Sequence, residues 1–85
     1  MLGKKRVYFR VDAPKAGVVA VLGDFNNWEQ RALKQDKKGQ WTTWTTLIPG
    51  RYEYRFQVDG EWRNDPESPA APNEFGSENN VVVVG

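Results

Sequence analysis

Trp28 directly follows Gly23, Asp24, Phe25, Asn26 and Asn27, a run of turn-forming residues around one phenylalanine. Trp62 stands two places after Asp59-Gly60, a dipeptide that marks a tight hairpin turn. Large aromatic rings are ordinarily placed by burial, and a surface turn offers little of it. If Asp59-Gly60 is the hairpin loop, Val58 pairs with Glu61, Gln57 with Trp62, and Phe56 with Arg63. Directly paired residues share one side of a sheet, so Trp62 falls on the Gln57 side, diagonal to Arg55. An indole beside a guanidinium forms a small amphipathic platform. One reading of it is a surface cation–π pair worth about 0.5–1 kcal/mol. The other is a contact for a ligand with flat apolar faces and hydrogen-bonding edges.

Bond-making chemistry is harder to place. The chain has no histidine, which removes the usual neutral-pH general base, and no cysteine, which excludes disulfides and thiolate metal sites. Hydrolysis of a glycosidic bond would need two carboxylates about 5–10 Å apart across a cleft. Of the 11 acidic residues, Asp59 and Glu61 belong to the hairpin, Asp65 precedes a proline, and Glu67 and Glu74 fall in a loop. No motif sets two of them face to face. The chain reads as non-catalytic, with no cofactor and no metal.

The elements that must carry these side chains follow from the hydrophobic pattern. Period-2 alternation recurs along the chain, and no stretch shows helical periodicity. Val7, Phe9 and Val11 share one face of KKRVYFRVD, and Val19, Val21 and Phe25 alternate with Ala20 and Leu22. A short strand is expected around Ala32 to Gln35. In QWTTWTTL, Trp41, Thr43, Thr45 and Leu47 face away from Thr42, Trp44 and Thr46. In RYEYRFQVD, Tyr52, Tyr54, Phe56 and Val58 oppose Arg51, Glu53, Arg55 and Gln57. The stretch from Asp65 to Asn80 reads as a long working loop before a last strand, VVVV. About seven short strands separated by Gly, Pro and Asn turns predict an all-β, antiparallel, immunoglobulin-like β-sandwich. At 85 residues the chain is expected to form one domain, residues 1–85. Trp28, Trp44 and Trp62 are left outside its buried faces.

Twelve basic against 11 acidic residues leave a net charge of +1. That balance argues against electrostatic capture of nucleic acid or an anionic membrane. MLGKKRVYFR has a basic start without an apolar stretch behind it, so neither a signal peptide nor a membrane span is expected. The lack of cysteine sets the expectation of a soluble domain in a reducing, cytoplasmic compartment.

The ordered motifs Gly23-Asp24-Phe25-Asn26-Asn27-Trp28, Gly39-Gln40-Trp41, Pro49-Gly50-Arg51-Tyr52-Glu53-Tyr54-Arg55-Phe56 and Val58-Asp59-Gly60-Glu61-Trp62 carry a resemblance. They are spaced as in carbohydrate-binding module family 48. The chain resembles the glycogen-binding domain of the AMP-activated protein kinase β subunit and the N-terminal domains of isoamylases and glycogen branching enzymes. Asp65-Pro66 and Phe75-Gly76-Ser77-Glu78-Asn79-Asn80-Val81 continue the match.

The resemblance implies non-catalytic binding of α-1,4-glucans such as glycogen, starch or maltooligosaccharides. Trp28 and Trp62 match the two sugar-stacking tryptophans. Arg55 stands where the kinase domain has a lysine, keeping a donor but exchanging a point charge for a planar fork. Phe75 replaces a leucine, Ser77 replaces a threonine, and Asn79 matches an asparagine that hydrogen-bonds glucose. A catalytic or kinase partner domain is also implied. The alternative is an accessory docking domain without sugar affinity. Trp44 is assigned no role: it could extend the platform, cover another domain or meet a second chain, and packing is the expectation.

Overall fold

The computed structural model describes residues 3–85. β1 (Lys5–Asp12) pairs along its whole length with β5 (Gln40–Leu47), and β4 (Lys34–Gln35) adds to the far side of β5. The second sheet runs in the order β3 (Arg31–Ala32), β2 (Val19–Gly23), β6 (Gly50–Val58), β9 (Glu78–Val84), β8 (Ala70–Pro72). β7 (Glu61–Arg63) pairs with the end of β6. Every pairing is antiparallel, and the two sheets enclose the core, as the alternation predicts.

The alternation decides which side chains fill that core. Phe9, Val11 and Trp41 from one sheet meet Val19, Val21, Tyr54 and Phe56 from the other. Phe9 is the centre of an aromatic cluster, its ring 5.0 Å from Tyr54, 5.2 Å from Phe25 and 6.4 Å from Phe56 between centroids. Trp41 is buried with its indole N–H satisfied by the Ala13 carbonyl at 2.8 Å, since a buried donor without a partner would cost stability.

Three features differ from the pattern read in the sequence. The strand around Ala32 to Gln35 is split: β3 pairs with β2, β4 pairs with β5, and buried Leu33 marks the crossing from one sheet to the other. All of β2 is buried, Ala20 and Leu22 included, so its two faces are not told apart by exposure. The segment from Asp65 to Asn80 contains a hairpin, β8 with the first residues of β9, which raises the strand count to nine. Its prolines and asparagines hid the ladder from an alternation-based reading.

Asn80 anchors the chain leading into that hairpin. It is fully buried, donates to the carbonyls of Asp65, Ser68 and Pro69, and accepts the Asp65 N–H at 2.6 Å. One side chain thereby replaces the ladder that a loop cannot supply.

Candidate functional site

The turn that carries Trp28 begins at Gly23, where β2 runs close to β6. A Cβ there would lie 2.7 Å from the Glu53 carbonyl oxygen and 2.8 Å from the Tyr54 Cβ, so no larger residue fits without movement. A single 3-10 turn follows at Asp24–Asn26, with Phe25 stacked on Phe9 below it. The Asn26 side chain closes the turn, accepting the Gly23 N–H at 3.0 Å and donating to the Glu29 carbonyl at 2.8 Å. Asn27 and Trp28 then both adopt left-handed backbone, with φ of 56° and 58°. Asparagine tolerates that region, whereas a tryptophan there carries strain of roughly 1–3 kcal/mol.

Hydrogen bonds hold the strained residue in place. The Trp28 N–H donates to the Gly23 carbonyl at 2.9 Å, and its indole N–H donates to Asp24 Oδ1 at 3.1 Å. The other Asp24 oxygen accepts the Glu53 N–H at 2.8 Å, tying the turn to β6. With its N–H engaged, Trp28 is held half-buried at the edge of the turn.

The β6–β7 hairpin has the register read from the sequence, Gln57 opposite Trp62, with positive φ at Asp59 and Gly60 as this turn type requires. The Asp59 carboxylate also accepts the N–H groups of Gly17 and Val18, each at 2.9 Å, which fastens the hairpin to the chain entering β2. Trp62 is 48% exposed, and the Arg55 guanidinium sits 5.2 Å from its ring centroid. Arg55 Nε donates to Asn64 Oδ1 at 2.9 Å, and Nη1 donates to Ser77 Oγ at 3.4 Å.

The turn between β8 and β9 is organised by Asn73. Its Oδ1 accepts the N–H groups of Phe75 and Ser77, and its Nδ2 donates to Ser77 Oγ at 2.9 Å and Asn79 Oδ1 at 3.1 Å. Asn79 in turn donates to Glu53 Oε1 at 3.2 Å, and Glu53 Oε2 pairs with Arg51 at 2.9 Å. Phe75 projects from the tip, 84% exposed, just before Gly76 with φ of 81°.

These three turns and the outer face of β6 enclose one groove of about 910 Å³. Trp28, Arg55, Trp62, Phe75, Ser77 and Asn79, all six residues selected from the sequence, line it, and buried Leu22 lies at its base. Asp24, Glu53 and Asn73 also line it and were not selected. Their signal was weak: each reads as a turn or strand-surface residue until the pairing of distant segments is known. Trp44 is elsewhere, on the outer face of the three-stranded sheet, opposite Tyr8 and 4.2 Å from the Arg6 guanidinium. It does not line the groove, and nearly half of its surface stays exposed.

Two indoles and a phenyl ring thus border a trough whose floor and walls carry guanidinium, amide and hydroxyl groups. Such a surface stacks on flat apolar faces and hydrogen-bonds the polar edges between them. The family model described as the glycogen recognition site of AMP-activated protein kinase matches residues 6–85. Among curated proteins, the chain is 39% identical over 84 residues to Protein FLOURY ENDOSPERM 6, chloroplastic, of Oryza sativa subsp. japonica, covering 98% of the chain and 16% of that protein. It is 44% identical over 70 residues to Protein PTST, chloroplastic, of Arabidopsis thaliana, covering 78% of the chain and 25% of that protein. It is 33% identical over 66 residues to the 5'-AMP-activated protein kinase subunit beta-1 of Rattus norvegicus, covering 78% and 24%. The chain therefore spans a quarter or less of the length of these relatives.

Proposed function

The chain belongs to the family of the glycogen recognition site of AMP-activated protein kinase, and from that premise we propose that residues 1–85 act as one non-catalytic unit that binds α-1,4-glucans. The observation that carries the reading is that Trp28 and Trp62, far apart in sequence, border the same groove. In this reading the two rings stack on successive glucose faces. Arg55 and Asn79 hydrogen-bond hydroxyls between them, and Ser77 and Phe75 close the trough from the β8–β9 turn. Because the groove is open along one side, affinity is modest, roughly micromolar to millimolar, or about −8 to −4 kcal/mol.

The carboxylates support binding over hydrolysis. Of the three carboxylates that line the groove, both Asp24 oxygens and both Glu53 oxygens already accept hydrogen bonds from protein donors, which leaves Glu74 without a second open carboxylate to work with. A general acid and a nucleophile must instead be open to the substrate. Among the described residues no helix is long and apolar enough to cross a membrane. The cytoplasm is the compartment we assign, since a chain without cysteine gains nothing from an oxidising one. A catalytic or kinase chain is the proposed protein partner, in keeping with the kinase β-subunit relatives.

Tryptophan fluorescence during titration with maltoheptaose and β-cyclodextrin tests the reading, on the parent and on Trp62→Ala, at low and high salt. A saturable change in the parent at both salts, lost in the variant, supports it. A folded parent that responds to neither sugar sinks it, and the chain is then an accessory docking domain.

A further inference from the structure

The net charge of +1 conceals a separation of charge between the two faces of the sandwich. Three carboxylates, Asp24, Glu53 and Glu74, line the groove against one cation, Arg55. The outer face of the three-stranded sheet has the opposite character. Cross-strand pairing puts Arg6 with Thr46, Tyr8 with Trp44, and both Arg10 and Lys34 with Thr42 on that side, with one carboxylate, Asp12, opposite Gln40 at the end of β1. Arg31 reaches the same strand, donating to the Trp44 carbonyl at 2.8 Å. Among the described residues the one ion pair is Arg51–Glu53 on the other sheet, so these four cations have no carboxylate partner.

The aromatics on this face are exposed beyond what packing explains. Tyr8 is 67% and Trp44 46% exposed. Arg6 lies over the Trp44 ring, its guanidinium carbon 4.2 Å from the centroid, and Nη1 approaches the Tyr8 hydroxyl at 3.4 Å. Stacking on an indole leaves most of the in-plane N–H donors of a guanidinium available, and those donors form a fork for carboxylates.

We propose that this face is a docking surface for an acidic protein partner, whose carboxylates pair with Arg6 and Arg10 around the Trp44–Tyr8 pair. Tyrosine, tryptophan and arginine are the residue types that dominate protein–protein binding energy, and here they sit together at the centre of a sheet face. Charge excludes the pairing of this face with the same face of a second copy, since like faces would oppose their cations. A neutral glucan would leave those cations unused. The face lies on the opposite side of the sandwich from the groove, so partner and glucan are held together without competing.

Fluorescence anisotropy of labelled decaglutamate, added to the full chain at low salt, tests the assignment. Three variants are compared: Arg6→Glu/Arg10→Glu, Trp44→Ala, and Lys15→Glu, which lies outside these strands. Decaglutamate binding is expected to weaken on the order of tenfold or more in the double arginine variant, as reversal of paired charges does. Trp44→Ala should weaken it several-fold by releasing Arg6 from its stack, and Lys15→Glu should have a smaller effect. Maltoheptaose titration of the same variants should be unchanged, which separates this surface from the groove. The proposal is overturned if decaglutamate does not bind, or binds the double arginine variant as tightly as the parent. Tighter binding of a single-stranded thymidine decamer than of decaglutamate would also overturn it, in favour of nucleic acid. The arginines are exposed, so their variant folds and decides the matter even if Trp44→Ala does not.

Discussion

Asp24 accepts the indole N–H of Trp28 at 3.1 Å with one carboxylate oxygen and the backbone N–H of Glu53 at 2.8 Å with the other. The same side chain therefore sets the angle of a ring and fixes the turn carrying that ring to the central strand. Replacing Asp24 by alanine removes both bonds, each worth about 0.5–1.5 kcal/mol. We expect Asp24→Ala to lower maltoheptaose affinity roughly tenfold, because a ring free to rotate must be ordered on binding. Titration calorimetry on a variant whose melting curve shows it folded measures this; an unchanged affinity would mean that the indole needs no such support.

Trp28 sits in left-handed backbone, where a glycine would be at ease. Trp28→Gly and Trp28→Ala both remove the ring, and both should lose glucan binding. The Cβ of alanine is strained in left-handed backbone, which outweighs the greater unfolded-state freedom of glycine, so the glycine variant should be the more stable of the two by about 0.5–1 kcal/mol. Urea denaturation of the pair gives the difference directly. Equal stability would show that the turn is not strained at this position.

The sequence made the core legible wherever neighbours along one strand decide burial. Phe9, Val21, Trp41, Tyr54 and Phe56 lie where alternation put them, and the Asp59-Gly60 turn fixed the register that brings Trp62 to Arg55. Alternation could not reveal that Leu22 is buried while lining the groove, since that depends on chain segments remote in sequence. Nor could it reveal the β8–β9 hairpin, whose prolines and asparagines depress strand propensity and whose ladder is set by pairing with β6. The six groove residues were found through motif resemblance and aromatic placement. Asp24, Glu53 and Asn73 were missed because they act on those residues through hydrogen bonds that only the fold creates.

Asn73 illustrates such an action. It accepts two backbone N–H groups in its own turn and donates to Ser77 and Asn79. Asn73→Asp keeps the acceptor and loses the donors, whereas Asn73→Ala loses both. The expected order of glucan affinity is parent, then Asn73→Asp, then Asn73→Ala, with about 1–3 kcal/mol between the extremes. Because this turn stands away from the core, melting temperatures should move far less than affinities. A reversed order, with Asn73→Asp the weakest, would show that charge in the groove outweighs turn geometry.

Tyr54 contributes a pH dependence of stability on the alkaline side. Burial raises its pKa above the ordinary value of 10.0; the hydrogen bond to Ser68 opposes the rise, and the charge of Asp65 adds to it. Between 10.0 and the raised value, the unfolded chain gives up the phenolic proton while the folded chain keeps it. The folded state then binds more protons, so stability falls as pH climbs through that window and is unaffected by this group below it. Tyr54→Phe cannot ionise there, and it also loses the 3.1 Å hydrogen bond to Ser68 Oγ. At neutral pH the variant should be less stable by about 1 kcal/mol. Above pH 10 the gap should narrow, since only the parent's Tyr54 can lose its proton. Urea denaturation of both proteins from pH 7 to 11 measures the gap, and subtracting the curves cancels the lysines and the other tyrosines. A gap that stays constant across the series would mean that burial of the phenol does not govern alkaline unfolding.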